Sequence, residues 1–429
     1  MTHQIRQQFL EVEFTGTEAE GLEIQRLLPE LYYRKLLPAI EKAFDQSFPD
    51  NQVLKIDRLD IEIGSINLDR LNHDFADLAI KEILKTIRAD IYNISNSPER
   101  SEQELPDQKS IPENLSDVFL YFLKTGILPW SYRLKDGKTL ENELDNAINT
   151  RWSDNDVRYF TSRVHEALFS KVTFNRFVNQ FSHSFRARVL MLISNEIAGI
   201  TENIYSIEEL EGLSQEELLR FNKSLFESAF TLESGKAGLK SNARLHEDSL
   251  INKTELSSEF QADKEGIYIE NAGLVLLHPF LSLYFEALGV ITGDEMLRRE
   301  RALCLLHYLA TGQSKANEYD LALPKILCGL SVYDAITREA DISENESIES
   351  IALLTSVIIH WSALKNTSPD ALRGTFLMRP GKLFLRDDGN WLLHVESNNF
   401  DVLIDQLPWG ISMIKLPWMK QMLIVEWNA

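Results

Sequence analysis

Two residues in 429 are cysteine, Cys304 and Cys328, and both sit among leucines and a glycine (Leu303, Leu305, Leu327, Gly329). That count excludes a disulfide framework and marks both as small core residues. Long apolar runs are missing too. The best candidates, Ala187 to Ile193 and Ile351 to Ile359, are far short of the ~20 residues that a membrane helix needs. The opening Met1-Thr2-His3-Gln4-Ile5-Arg6 has no apolar core of the secretion-signal type. These features predict a soluble protein made in the cytoplasm. Cations are scarce as well: 44 Lys and Arg stand against 65 Asp and Glu, a net charge of −21. Such a balance argues against general affinity for nucleic acid or an anionic membrane surface, and it fits either docking on a basic protein surface or solubility alone.

Catalytic signatures are also absent. There is no Gly-x-Ser-x-Gly elbow, no phosphate-binding glycine loop, no His-Glu-x-x-His and no Cys/His spacing for zinc. Carboxylate pairs such as Asp57/Asp60 and Glu396/Asp401 are unspecific in so acidic a chain. Three histidines, His278, His307 and His360, lie in apolar helical segments beside Pro279, Tyr308 and Trp361. They are read as hydrogen-bonded structural histidines, with a histidine-dependent hydrolase as the lesser alternative. No catalytic, cofactor-binding or metal-binding residue is assigned, and no sustained heptad is present.

What the chain does have is a repeated corner. Leu407-Pro408-Trp409 is followed by Leu416-Pro417-Trp418, the chain then runs into Val425-Glu426-Trp427, and a further copy stands at Leu128-Pro129-Trp130. Proline fixes its own φ and biases the preceding residue away from helix, while tryptophan supplies a large apolar anchor. Each such unit is a rigid corner with an anchor attached. Trp130, Trp391, Pro408, Trp409, Pro417, Trp418 and Trp427 are therefore candidate partner-docking residues, with a domain core as the competing reading.

Periodicity divides the rest. In residues 1–95, alternation at Phe9 to Phe14 and Val53 to Ile63 predicts two strands, and helical spacing predicts a proline-kinked helix up to Phe44 and a second helix over 68–91. This is an N-terminal α+β domain. Residues 96–112 are polar and proline-spaced and read as a linker. Residues 113–233 read as a helical middle region, 234–264 as a flexible connection, and 265–429 as a C-terminal helical domain with a small antiparallel sheet around the turn Asp387-Asp388-Gly389-Asn390. The expected class is α+β, predominantly helical.

Several longer elements carry a resemblance. These are Ile56-Asp57-Arg58-Leu59-Asp60-Ile61-Glu62-Ile63-Gly64, Phe122-Leu123-Lys124-Thr125-Gly126-Ile127-Leu128-Pro129-Trp130, Asn271 to Leu281, Leu305 to Gly312, Leu323-Pro324-Lys325-Ile326-Leu327-Cys328-Gly329-Leu330, His360 to Ser368, Phe376-Leu377-x-Arg379-x-Gly381 and the Leu-Pro-Trp tail. Together they resemble the tape measure proteins of contractile injection systems, the phage-tail-like particles that some bacteria assemble. The resemblance implies a non-enzymatic component without cofactors that sets inner tube and sheath length. A baseplate adaptor or tube-assembly chaperone of the same particle is the alternative. The implied partners are inner tube, baseplate or spike proteins, with no nucleic acid and no direct membrane insertion. The implied location is the cytoplasm during assembly, incorporation into a released particle being left open. Residues 131–265 carry no recognisable element; fully helical, these roughly 135 residues would span at most about 200 Å.

Overall fold

Among the described residues, four helices start where a hydroxyl and a carboxylate stand three residues apart, at Thr17/Glu20, Ser110/Glu113, Ser153/Asp156 and Ser343/Glu346. In each, the hydroxyl accepts from the third backbone N–H and the carboxylate reaches back to the cap N–H, satisfying donors that the first helical turn leaves open. The computed structural model describes residues 3–5, 8–48, 52–56, 58–96, 107–135, 137–150, 152–198, 217, 266–337 and 339–427, and elements are numbered over these. The chain divides into two units, Met1–Leu115 and Ser116–Ala429.

The first unit contains α1 (Glu18–Leu31), α2 (Leu37–Ser47), β1 (Gln52–Lys55), α3 (Leu68–Asn96) and β2 (Asp107–Ser110). The proline-containing helix is interrupted as its sequence requires: Pro29 lies inside α1, a π-helical turn follows over Tyr32–Leu36, and Pro38 opens α2. Leu31, Leu36 and Ile40 form a core with Phe75, Ala79, Ile83 and Ile87, which recur every four residues along α3.

The strands of this unit differ from expectation. Residues 8–15 form no strand, and Phe9 is 82% exposed. The second expected strand is paired only over β1; beyond it Leu59, Ile61 and Ile63 are half-buried on the core while Arg58, Asp60 and Glu62 face out. Period-two alternation specifies which face is buried, but it does not supply a neighbouring strand. Of the expected linker 96–112, residues 97–106 lie outside the described residues. Its last part is not linker: Asp107–Ser110 pairs antiparallel with β1, Ser110 lying opposite Gln52. Asp, Gln, Lys and Ser give no apolar alternation, so this strand is held by its backbone ladder and is silent in the sequence.

The second unit is built on α4 (Ile111–Thr125, from Ser116 onward), α5 (Leu140–Thr150), α6 (Asp154–Ala167), α7 (Lys171–Gln180) and α8 (His183–Ala198). Phe119 centres their core, with ring centroids 5.5 Å from Phe160, 5.2 Å from Phe181 and 6.1 Å from Phe185. The flexible connection expected over 234–264 lies outside the described residues. Then come β3 (Ile267–Ile269), a 3-10 turn Ala272–Leu277, α9 (His278–Ala287), the short pair β4 (Ile291–Thr292) and β5 (Glu295–Met296), α10 (Arg299–Thr311), α11 (Ala322–Leu327) and α12 (Glu344–His360). A sheet of β6 (Gly381–Leu385), β7 (Trp391–Val395), β8 (Met413–Ile414) and β9 (Leu423–Trp427) completes it, in the order β3-β6-β7-β9-β8. The hairpin turns at the expected Asp387-Asp388-Gly389-Asn390, Gly389 having φ +80°. The sheet is mixed, however, and not antiparallel throughout: β9 runs parallel to β7, Trp391 opposite Leu423. Residues 396–422 form the long crossover that parallel pairing needs.

A buried ion cluster joins the helices before residue 198 to those after 266. The Arg176, Glu318 and Lys325 side chains are essentially solvent-free, at 0%, 0% and 1% exposure. Arg176 Nε donates to both Glu318 oxygens at 3.1 and 3.0 Å, and Lys325 Nζ to Oε1 at 2.8 Å. The remaining donors reach carbonyls: Arg176 those of Leu123 (2.6 Å) and Tyr333 (2.8 Å), Lys325 that of Val332 (3.0 Å). Burial pushes the Lys325 ammonium pKa down and the Glu318 carboxylate opposes it. Gly126 lines this cluster with φ +79°; a β-carbon there would lie 2.4 Å from Glu318 Oε1. The middle and C-terminal helices thus belong to one unit.

Removing Glu318 would leave two buried cations without a counter-charge. Glu318→Gln is expected to cost about 3–5 kcal/mol. Because all seven tryptophans lie beyond residue 115, urea unfolding followed by tryptophan fluorescence reads this unit alone, and an unchanged midpoint would refute the cluster's role. A second buried pair sets a pH dependence. Arg301 Nε donates to Glu346 Oε1 at 2.6 Å and its NH2 to Oε2; this pairing outweighs burial and holds the Glu346 carboxyl at about 2, against an ordinary 4.5. A lowered folded-state pKa contributes stability above the unfolded value and loses it as pH falls through the folded one. The contribution, on the order of 2–3 kcal/mol, is therefore present at neutral pH and disappears between about 4.5 and 2. Glu346→Gln should lower the neutral-pH midpoint and flatten its fall over that window, as a series of urea titrations would register.

Candidate docking face and its anchors

The tail is pinned to the second unit by its indoles. Trp409 donates its Nε1–H to the Leu276 carbonyl at 3.1 Å and packs edge-on against Phe280, centroids 5.3 Å apart. Trp418 donates to the Leu327 carbonyl at 2.8 Å and lies 5.7 Å from the Phe285 ring. Close approach here depends on Gly329: it takes φ +70°, and a β-carbon would stand 2.6 Å from the Trp418 carbonyl. Both indoles are half-buried, and Pro408 and Pro417 form exposed corners beside them. An amphipathic ring whose N–H finds a carbonyl is what allows tryptophan to act as such a clasp.

The other indoles are placed differently. Trp391 is buried at the start of β7, where its backbone N–H donates to the Met422 carbonyl at 2.9 Å. Trp427, half-buried at the end of β9, lies 5.3 Å under the Arg379 guanidinium. Arg379 in turn holds Asp401 at 2.6 and 3.0 Å, both side chains buried. Burial pushes the Asp401 carboxyl up, yet Arg379 and the Asn398 N–H outweigh it and hold it below the usual range. Trp130 is half-buried in the turn after α4, where the Tyr132 N–H bonds the Pro129 carbonyl at 3.0 Å. All five docking candidates that are tryptophans therefore occur in one unit, with four of them tied into the C-terminal elements.

Sequence reasoning missed the most buried indole. Trp361 is 0% exposed, donates to the Leu403 carbonyl at 3.1 Å and packs 4.8 Å from Phe376. It also missed the ion clusters. The available signal was a lone charge in an apolar run, as in Leu323-Pro324-Lys325-Ile326-Leu327, where every neighbour is buried.

The three histidines lie on separate helices, α9, α10 and α12. His278 Nδ1 bonds the Val275 carbonyl at 2.9 Å and His360 Nδ1 the Ser356 carbonyl at 2.7 Å, each within its own turn. Burial lowers His278 and pushes His307 to about 4, so His307 is neutral at physiological pH. Burial raises the Cys304 thiol to about 11 and pushes Cys328 up as well, so neither forms a thiolate readily. Among the described residues, no three His, Cys, Asp or Glu side chains are placed to hold a metal ion, and no helix is long and apolar enough to cross a membrane. The geometry thus gives anchors and clasps.

Comparison with curated proteins and with solved structures returns no significant match. A family model described as contractile injection system tape measure protein matches residues 2–246 and 229–427, including the region 131–246 in which no motif is recognisable by eye. The match spans nearly the full sequence, and its description is that of a structural component of an injection particle. The chain belongs to the contractile injection system tape measure protein family.

Proposed function

We propose that the chain contributes to tube and sheath length as a compact assembly component that docks on other particle proteins, and not as an extended ruler. One observation carries this reading. Residues 199–265 leave from α8 and return at β3, and both points belong to the same unit, joined through Arg176–Glu318 and through Gln180 Nε2 on the Ile336 carbonyl at 3.0 Å. A segment of 67 residues anchored at both ends must go out and come back. Even fully helical, it would reach only about 50 Å from the unit. The helices over 140–198 add no reach, since their phenylalanines form the core described above.

The direct ruler remains the second reading, favoured by the family description, and any counting would then reside in 199–265. Docking would use the acidic surface, the exposed Leu-Pro-Trp corners at Pro408 and Pro417, or both, on inner tube, baseplate or spike proteins. The implied site of action is the cytoplasm during assembly.

Electron microscopy of particles made with 199–265 shortened by half and, separately, doubled distinguishes the readings. Normal tube length with fewer particles is expected; lengths that scale with the segment would establish the ruler and overturn the compact reading. Binding to purified tube or baseplate proteins, followed across a salt series, identifies the surface used. Affinity that falls steeply with ionic strength assigns the contact to the acidic face, whereas salt-insensitive binding assigns it to the tryptophan corners.

A further inference from the structure

Helix α12 exposes an apolar seam on the side away from its own core. Leu353, Leu354, Val357 and Ile358 are buried, while Ile348 is 60% and Ile359 70% exposed, with Ala352 and Thr355 exposed between them. The spacing 348, 352, 355, 359 advances by four, three and four, the alternation of a two-heptad seam, and Ile351 flanks it. Among the described helices of this unit, only α12 exposes three isoleucines on one face.

The polar atoms of this face are turned inward. Thr355 Oγ1 donates to the Ile351 carbonyl at 2.8 Å and Ser356 Oγ to the Ala352 carbonyl at 2.9 Å, while His360 Nδ1 is taken by the Ser356 carbonyl. Thr355 therefore presents its methyl group. No side chain of the seam is arranged to read a polar ligand, and a desolvating partner would leave none of these hydroxyls without a bond.

We propose that two copies of this chain associate through α12, antiparallel about a two-fold axis. The seam is its own complement. Reversed, Ile-Ala-Thr-Ile sets Ile348 against Ile359 of the partner subunit at both ends and Ala352 against Thr355 of the partner subunit in the middle. Those small central residues allow the axes to approach to about 8 Å. Charge follows the same two-fold: Glu344 is exposed at one end of α12 and Lys365 just beyond the other, so antiparallel pairing sets unlike charges together and opposes the helix dipoles favourably. A parallel pairing would align like with like. One helix face falls short of the ~800 Å² per partner of a standard interface, so this dimer forms in a concentration-dependent way.

Sedimentation equilibrium of the full chain over a hundredfold concentration range tests this. Association that rises with concentration is expected, weakened tenfold or more in an Ile348→Glu/Ile359→Glu variant whose circular dichroism is unchanged, since both positions are exposed. A second measurement fixes the geometry: in an equimolar mixture of Ile348→Cys and Ile359→Cys chains, mild oxidation should favour the mixed disulfide. A chain that stays monomeric throughout, a dimer indifferent to the glutamates, or a dominant 348–348 disulfide each overturns the proposal.

Discussion

The carboxylate of Glu318 is the point on which the second unit closes. It is sealed from water with two cations, and one of them, Arg176, lies 142 residues earlier in the chain. A charge is stable in such a place only when paired and fully hydrogen-bonded, so the carbonyls of Leu123, Val332 and Tyr333 must be positioned before the cluster can be closed. That requirement draws α4, α7, the turn at 318–320, α11 and the loop after it to one place. It also explains Gly126, where any side chain would displace the carboxylate. In this arrangement every one of these cation donors finds an acceptor, so the cluster ties the surrounding helices and loops to one another.

From this follows the status of the middle helices. Read alone, residues 140–198 show amphipathic helices and a loop-rich continuation, which suits a separate region equally well. The Phe122 ring against Tyr319 and the reach of Arg176 to Glu318 tie this helical group to elements after residue 266 instead. Helical periodicity reports that a face is buried, and it is silent on which element covers it. The same limit accounts for the strands of the first unit: Leu59, Ile61 and Ile63 do alternate onto a core, yet alternation is no evidence of a ladder partner. Where the signal is chemical and local, the sequence was legible. The Asp-Gly-Asn turn and the Pro29/Pro38 interruption are both found where the residues demand them. The direction of β9 was not legible, since a strand's own residues do not state whether its neighbour runs with it or against it.

The candidate site was half legible. Each Leu-Pro-Trp corner is a rigid turn with an anchor, as its chemistry requires, and what the sequence withheld was the address of each indole. Trp409 and Trp418 spend their N–H groups on carbonyls at Leu276 and Leu327, so the tail is clasped to the unit while its proline corners stay exposed. Trp361, which lies outside any such corner, is the most deeply buried of the seven.

Taken residue by residue, the segments that carry the family resemblance do structural work. Gly126 admits Glu318, Lys325 neutralises it, Gly329 admits the Trp418 carbonyl, and Arg379 clamps Asp401 while lying over the Trp427 ring. Of the histidines among them, His278 and His360 bond to carbonyls of their own turns. Gly126, Lys325, Gly329 and Arg379 are thus spent on close approach, buried charge and clasping. In the tail, β9 lies between β7 and β8 and is parallel to the former, so the sheet is complete only when the crossover over 396–422 has been laid across the unit and both indoles have seated. The fold of the second unit thus depends on contacts between segments distant in the chain.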